Sequence, residues 1–235
     1  MKKPHHYGEG KQGADVFALA FGLVPEGKRE KVFAALLGHL EKVNYHFDTG
    51  ILATPLFTQV LTENGRADLA YKLMNQRDFP SYGYLADKEN NTLWETWNGD
   101  GNDEGCGHCH PMFGSVVAWF YHSLAGIKPD QSDPGMKHFY IEPMIVPDLK
   151  YCRTTYDSQY GKISSDWKID ENGNLNLKIE VPANTSATVI IPDWGGRTVL
   201  ESGKPVSEVS NIVIDKVDSS QMEVSSGVYH FVILK

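Results

Sequence analysis

Lys128-Pro-Asp-Gln-Ser-Asp-Pro-Gly135 splits the chain into two halves of different character. Proline lacks a backbone N–H, and Asp, Ser and Gly favour turns, so this stretch cannot continue a helix or a central strand. Before it, apolar residues recur every three or four positions. After it, they recur every second position. The chain therefore reads as a helical half followed by a strand half.

Working back from that break, Phe113, Val116, Val117, Phe120 and Leu124 predict a helix from about Met112 to Leu124, stopped at Gly126. Four further helices precede it. Gln12 to Leu23 carries Val16, Ala20 and Leu19, Leu23 at i, i+4 spacing, with Gly22 and Pro25 closing it. A second helix opens near Pro25 and buries Val32, Phe33, Leu36, Leu37 and Leu40. The third runs from about Gly50 to Thr62 with Leu52, Leu56 and Val60 inward, and Pro55 sets a kink or a late start there. The fourth, from Arg66 to Asn75, buries Leu69, Leu73 and Met74 after the stop at Asn64-Gly65. Short turns between antiparallel helices suggest a bundle or an α/α toroid, and these helices are too few to close a toroid.

Working forward, Leu175, Leu177, Ile179 and Val181 alternate with Asn176, Lys178 and Glu180, as a half-buried antiparallel strand requires. Asn172-Gly173 predicts a hairpin that pairs this strand with Lys162–Ile169. Further strands fall at Thr188–Ile191, Val206–Ile214, Gln221–Val224 and Val228–Leu234. Many short strands with turns at regular intervals read as a β-sandwich.

Composition narrows the function classes. A net charge of -8 with no Lys/Arg-rich block argues against nucleic acid as a partner. No apolar run is long enough to span a bilayer, so a membrane is not expected. Met1-Lys-Lys-Pro-His-His-Tyr-Gly8 lacks an apolar stretch after its basic start and does not read as a signal peptide. Three cysteines, Cys106, Cys109 and Cys152, do not indicate a disulfide framework. The cellular compartment stays open.

Chemistry concentrates between Asn91 and Ser115, where Trp94, Glu95, Trp97, Asp100, Asp103, Glu104, Cys106, His108, Cys109 and His110 stand among glycines and asparagines. So polar and glycine-rich a segment belongs on a surface or lining a cleft. Cys106-Gly-His-Cys109-His110 has the C-x-x-C-H spacing of haem attachment, and its thiols and imidazoles could also ligate zinc. Structural zinc joins two ligand pairs across a spacer, and only one pair is present. No metal and no cofactor is therefore expected. Trp94-Glu95-Thr96-Trp97 offers a carboxylate beside aromatic rings. Glycoside cleavage uses that combination, because a carboxyl moves the proton while indoles pack on apolar sugar faces. The bland alternative is a solvated acidic loop with its tryptophans folded onto the core.

Consecutive blocks resemble bacterial α-L-rhamnosidases of glycoside hydrolase family 78. They are Thr49-Gly-Ile-Leu-Ala-Thr-Pro-Leu-Phe57, Asn64-Gly-Arg-Ala-Asp-Leu-Ala-Tyr71, Phe79-Pro-Ser-Tyr-Gly-Tyr84 and Thr92-Leu-Trp-Glu-Thr-Trp97. His110-Pro-Met-Phe-Gly-Ser-Val-Val-Ala-Trp-Phe-Tyr-His122, Ala125-Gly-Ile127, Tyr160-Gly-Lys-Ile-Ser-Ser-Asp-Trp167 and Val181-Pro-Ala-Asn-Thr185 continue the match in order. The resemblance implies part of an (α/α)6 catalytic barrel over residues 1–127 and an antiparallel C-terminal β-sandwich over 137–235. It implies inverting hydrolysis of terminal α-L-rhamnosyl residues in rhamnose-containing glycans or glycosides. Glu95 falls on the family's general base, His110 on its sugar-contacting histidine, and Trp94 and Trp97 on the pocket wall.

Gly107-His-Cys-His110 departs from the family's usual Ser-x-Asn-His, and the family's general acid lies upstream of the matched blocks. The chain is thus expected to be the C-terminal part of a rhamnosidase, either a truncated gene product or a piece of a longer chain. It would be inactive alone, and would self-associate or take its missing barrel helices from another chain. A non-catalytic carbohydrate-binding or assembly module is the alternative.

Overall fold

The computed structural model describes residues 5–87, 92–98, 107–191, 196–218 and 220–235. They form two compact units, Met1–Trp119 and Phe120–Lys235. No helix among the described residues is long and apolar enough to cross a membrane.

In the first unit, α1 (Gln12–Ala20) packs on α2 (Arg29–Lys42) and α3 (Thr54–Glu63), and α3 packs on α4 (Ala67–Met74). Val32, Leu36 and Leu40 of α2 are buried at the expected four-residue spacing. Pro55 lies in the first turn of α3, and the helix starts at Thr54 rather than near Gly50. Its core face is therefore Phe57, Val60 and Leu61, while Leu52 precedes the helix and is 63% exposed.

Two polar side chains of α1 are fully buried, and both are hydrogen-bonded. Asp15 accepts from His6 Nδ1 at 2.6 Å and from the Tyr7 N–H at 2.7 Å, fastening the segment ahead of the helix. Gln12 donates through Nε2 to the His46 carbonyl at 2.9 Å and accepts from the Asp48 N–H at 2.9 Å. A side-chain amide that satisfies both groups of a passing strand-like segment fixes the path of residues 46–48.

The segment after Arg77 contains a short helix, α5 (Tyr82–Ala86), that hydrophobic periodicity does not reveal. Ser81 caps it by accepting from the Tyr84 N–H at 3.0 Å. The expected helix from Met112 to Leu124 is broken into α6 (Pro111–Gly114), α7 (Val117–Trp119) and a π-helical turn, Phe120–Leu124. Ser115 donates its hydroxyl to the Met112 carbonyl, and the N–H groups of Ser115, Val116, Ala118 and Trp119 bond three residues back instead of four. Side-chain competition of this kind tightens or bends a helix.

In the second unit, nine strands among the described residues make one hydrogen-bonded sheet. They are β1 (Ile127–Pro129), β2 (His138–Ile141), β3 (Tyr151–Ser158), β4 (Gly161–Ile169), β5 (Leu175–Ile190), β6 (Val199–Glu201), β7 (Lys204–Pro205), β8 (Ile212–Ile214) and β9 (Gln221–Ile233). The hairpin at Asn172-Gly173 is as expected, with Ile169 opposite Leu175. The strands expected at Thr188 and at Val228 instead belong to the long β5 and β9, which pair along both their halves.

A register shift between Val181 and Ser186 interrupts that pairing. On one side of it lie β3, β4, β6 and β7; on the other lie β1, β2 and β8. Ile163, Trp167 and Leu177 from the first half and Phe139, Val189 and Met222 from the second fall in one buried cluster. Both halves thus close over a single core, as the layers of a sandwich do. All pairs are antiparallel except β2 with β5, which run parallel.

Trp167 is fully buried, and its Nε1–H donates to the Leu124 carbonyl at 2.7 Å. Next to it on the same face, Ser165 donates to the Ala125 carbonyl at 2.6 Å. Trp167→Phe keeps an aromatic ring but leaves the Leu124 carbonyl unpaired. It is expected to lower the unfolding free energy by about 1–3 kcal/mol in a denaturant titration with unchanged slope.

Candidate active site

Glu95 sits where two short segments pair. Its N–H donates to the Gly107 carbonyl at 2.8 Å, and the His110 N–H donates to the Leu93 carbonyl at 2.8 Å. This lays residues 93–95 against 107–110 and brings Glu95, His108 and His110 into one region. The Gly107 N–H in turn donates to Glu95 Oε2 at 3.1 Å. Glu95 is half-buried, and Oε1 has no hydrogen-bond partner among the described residues.

Trp94 is 4% exposed and stacks on the His108 ring, with centroids 4.6 Å apart and planes inclined by 21°. Its Nε1–H and the Thr92 hydroxyl are buried without partners among the described residues. Trp97 is placed differently. It stacks between Phe113 at 4.2 Å and Phe47 at 5.4 Å, and Tyr82 meets its edge at 5.2 Å. Its Nε1–H donates to the Thr49 carbonyl at 2.7 Å. Trp97 is therefore the inner anchor of the stretch that carries Glu95.

His110 stands at the start of α6, where its Nδ1 accepts from the Met112 N–H at 3.4 Å and Pro111 follows at the first helical position. An accepting Nδ1 puts the proton of a neutral imidazole on Nε2, leaving that nitrogen as a donor. Asp100, Asp103, Glu104 and Cys106 lie outside the described residues. Cys109 is an exposed free thiol, and among the described residues no group of three or more His, Cys, Asp or Glu could hold a metal ion.

Residues 1–124 match the family model for the bacterial alpha-L-rhamnosidase 6 hairpin glycosidase domain, and residues 126–204 match the bacterial alpha-L-rhamnosidase C-terminal domain. The chain belongs to the bacterial α-L-rhamnosidases. It is 36% identical to an α-L-rhamnosidase of Streptomyces avermitilis over 187 residues, covering 77% of this chain and 18% of the relative. An α-L-rhamnosidase of Formosa agariphila is 31% identical over 228 residues, covering 94% of this chain and 24% of the relative.

The fold is shared too. The α-L-rhamnosidase structure from Dictyoglumus thermophilum superposes with a TM-score of 0.84 at 34% identity, over 96% of this chain and 25% of that one. The Streptomyces avermitilis enzyme complexed with L-rhamnose gives 0.81 at 32%, over 95% and 21%. The chain thus spans roughly a fifth to a quarter of the relatives it matches. A helical glycosidase region followed by a sheet-rich C-terminal domain is the architecture of these rhamnosidases, as the sequence blocks imply.

Sequence reading alone does not single out Gly107, Thr49, Phe47 or Tyr82 as parts of this site. Backbone donors and acceptors have no residue-type signature, and the Thr49 carbonyl and the Phe47 and Tyr82 rings come from segments distant in the chain. Tyr82 donates its hydroxyl to the Phe113 carbonyl at 2.9 Å, and burial pushes its pKa well above the ordinary value of 10.0. The folded protein keeps this phenol neutral where the unfolded chain ionises. Its contribution to stability is complete below pH 10 and declines above it, by at most about 1.4 kcal/mol per pH unit. Tyr82→Phe is expected to flatten the alkaline decline in melting temperature while lowering stability at pH 7.

Proposed function

We propose that this chain carries the general-base side of an α-L-rhamnosidase site that hydrolyses terminal α-L-rhamnosyl residues with inversion. Residues 1–127 would be the C-terminal part of the catalytic barrel and residues 137–235 the C-terminal sandwich. The observation that carries the reading is the state of Glu95, which has one oxygen held by Gly107 and the other unpartnered among the described residues.

In this mechanism Glu95 takes a proton from a water molecule as the water oxygen bonds to the anomeric carbon. The glycosidic C–O bond breaks on the opposite face, and its oxygen takes a proton from an acid. The family pattern puts that acid upstream of the matched blocks. His110 Nε2–H would donate to a sugar hydroxyl, and Trp94 would shape the pocket beside it. Trp97 would shape the pocket from beneath, by holding the Glu95 stretch in place.

In the complete enzyme, Glu95→Gln is expected to lower turnover of an aryl α-L-rhamnoside about 10²–10⁴-fold with an unchanged melting temperature. Unaltered turnover would remove Glu95 from the mechanism. The isolated 235-residue chain is expected to show no hydrolysis. Turnover by that chain, lost on Glu95→Gln, would place an acid among Asp100, Asp103 and Glu104.

Apolar side chains of the first unit support a further part of the proposal. Phe21, Leu23 and Leu52 are 62%, 65% and 63% exposed. Apolar surface of this kind favours association, with a second copy or with barrel helices from another chain. Sedimentation at micromolar concentration is expected to show species larger than a monomer; a clean monomer would overturn this part.

A further inference from the structure

We infer that Gly107 is the positioning residue of Glu95: its backbone N–H holds Oε2 and so presents Oε1 to water. The inference rests on the reading of Glu95 as the base.

A glutamate carboxylate on three rotatable bonds sweeps a wide volume unless something fixes it, and a base works only when its lone pair is aimed at the proton it removes. Here the fixing group is the Gly107 N–H, 3.1 Å from Oε2. The donor cannot swing away by itself, because the Gly107 carbonyl accepts from the Glu95 N–H at 2.8 Å. Residue 95 thus makes both of these bonds with residue 107, and the bond from His110 to Leu93 extends the pairing. A backbone donor has no rotamers to lose, and a charge-assisted bond to a carboxylate is among the stronger kinds.

An ideal Cβ at position 107 would lie 3.5 Å from Glu95 Oε2. That is ordinary van der Waals contact with the held oxygen, so a small side chain fits without displacing the backbone donor. The family's usual pattern places a serine at this position. In this chain the backbone N–H of residue 107 is the donor to Oε2.

Two measurements test this. In the 235-residue chain, the Gly107 amide proton is expected to shift as the Glu95 carboxyl ionises, and Glu95→Gln should abolish the shift. Absence of such a shift in the unsubstituted chain would overturn the contact. In the complete enzyme, Gly107→Pro removes the N–H, and replacing Gly107 with glycolic acid removes it without restricting the backbone. Both should lower kcat about 10–100-fold with KM within about twofold, whereas Gly107→Ala, which keeps the donor, should stay within about threefold.

An unchanged kcat in the glycolic-acid protein, or a loss confined to KM, would overturn the positioning role even if the proline variant fails to fold. Full turnover by Glu95→Gln would instead bring down the base assignment. The amide titration would then still report whether Gly107 holds the carboxylate.

Discussion

The bond from the Trp97 indole to the Thr49 carbonyl is the constraint on which the candidate site depends. It joins the stretch carrying Glu95 to the turn that leads into α3, across a gap of 48 residues. An indole N–H buried in an aromatic cluster has few acceptors within reach, so the one it finds fixes the ring in both position and rotation. Phe47, Phe113 and Tyr82 then close around the ring, each from a different part of the chain.

That anchor is itself supported from below. Gln12, buried at the start of α1, pins His46 and Asp48, and Thr49 is the next residue along. The Thr49 hydroxyl meets that of Thr54 at 2.7 Å, at the first residue of α3. The geometry at Glu95 is therefore relayed from helix α1 through a polar turn and an indole, and each group in the relay is hydrogen-bonded. Buried polar groups arranged in this way specify one arrangement, because every alternative leaves a donor or acceptor without a partner.

The two tryptophans of Trp94-Glu95-Thr96-Trp97 do different work, although they look alike in the sequence. Trp97 spends its faces and its N–H on the protein. Trp94 shares one face with His108 and keeps an N–H without an acceptor among the described residues. The carboxylate between them is treated just as unevenly, one oxygen held and the other not. This asymmetry suits the base role proposed for Glu95, in which the carboxylate is held still and yet remains accessible to water.

The sequence by itself determined the division into helices and strands, because periods of 3.6 and 2 are local properties that flanking turn residues only punctuate. It also determined the family, because the motif blocks run in order along nearly the whole chain, and it nominated Glu95 and His110 through them. Only the tertiary structure decided the broken helix after Pro111 and the union of short strand signals into the long β5 and β9. In those places a serine hydroxyl and cross-strand pairing override the hydrophobic period. It alone separated the role of Trp97 from that of Trp94 and brought the Gly107 N–H to Glu95. Partners far apart in the chain, and backbone donors common to nearly every residue type, leave no mark on a sequence until the chain is folded.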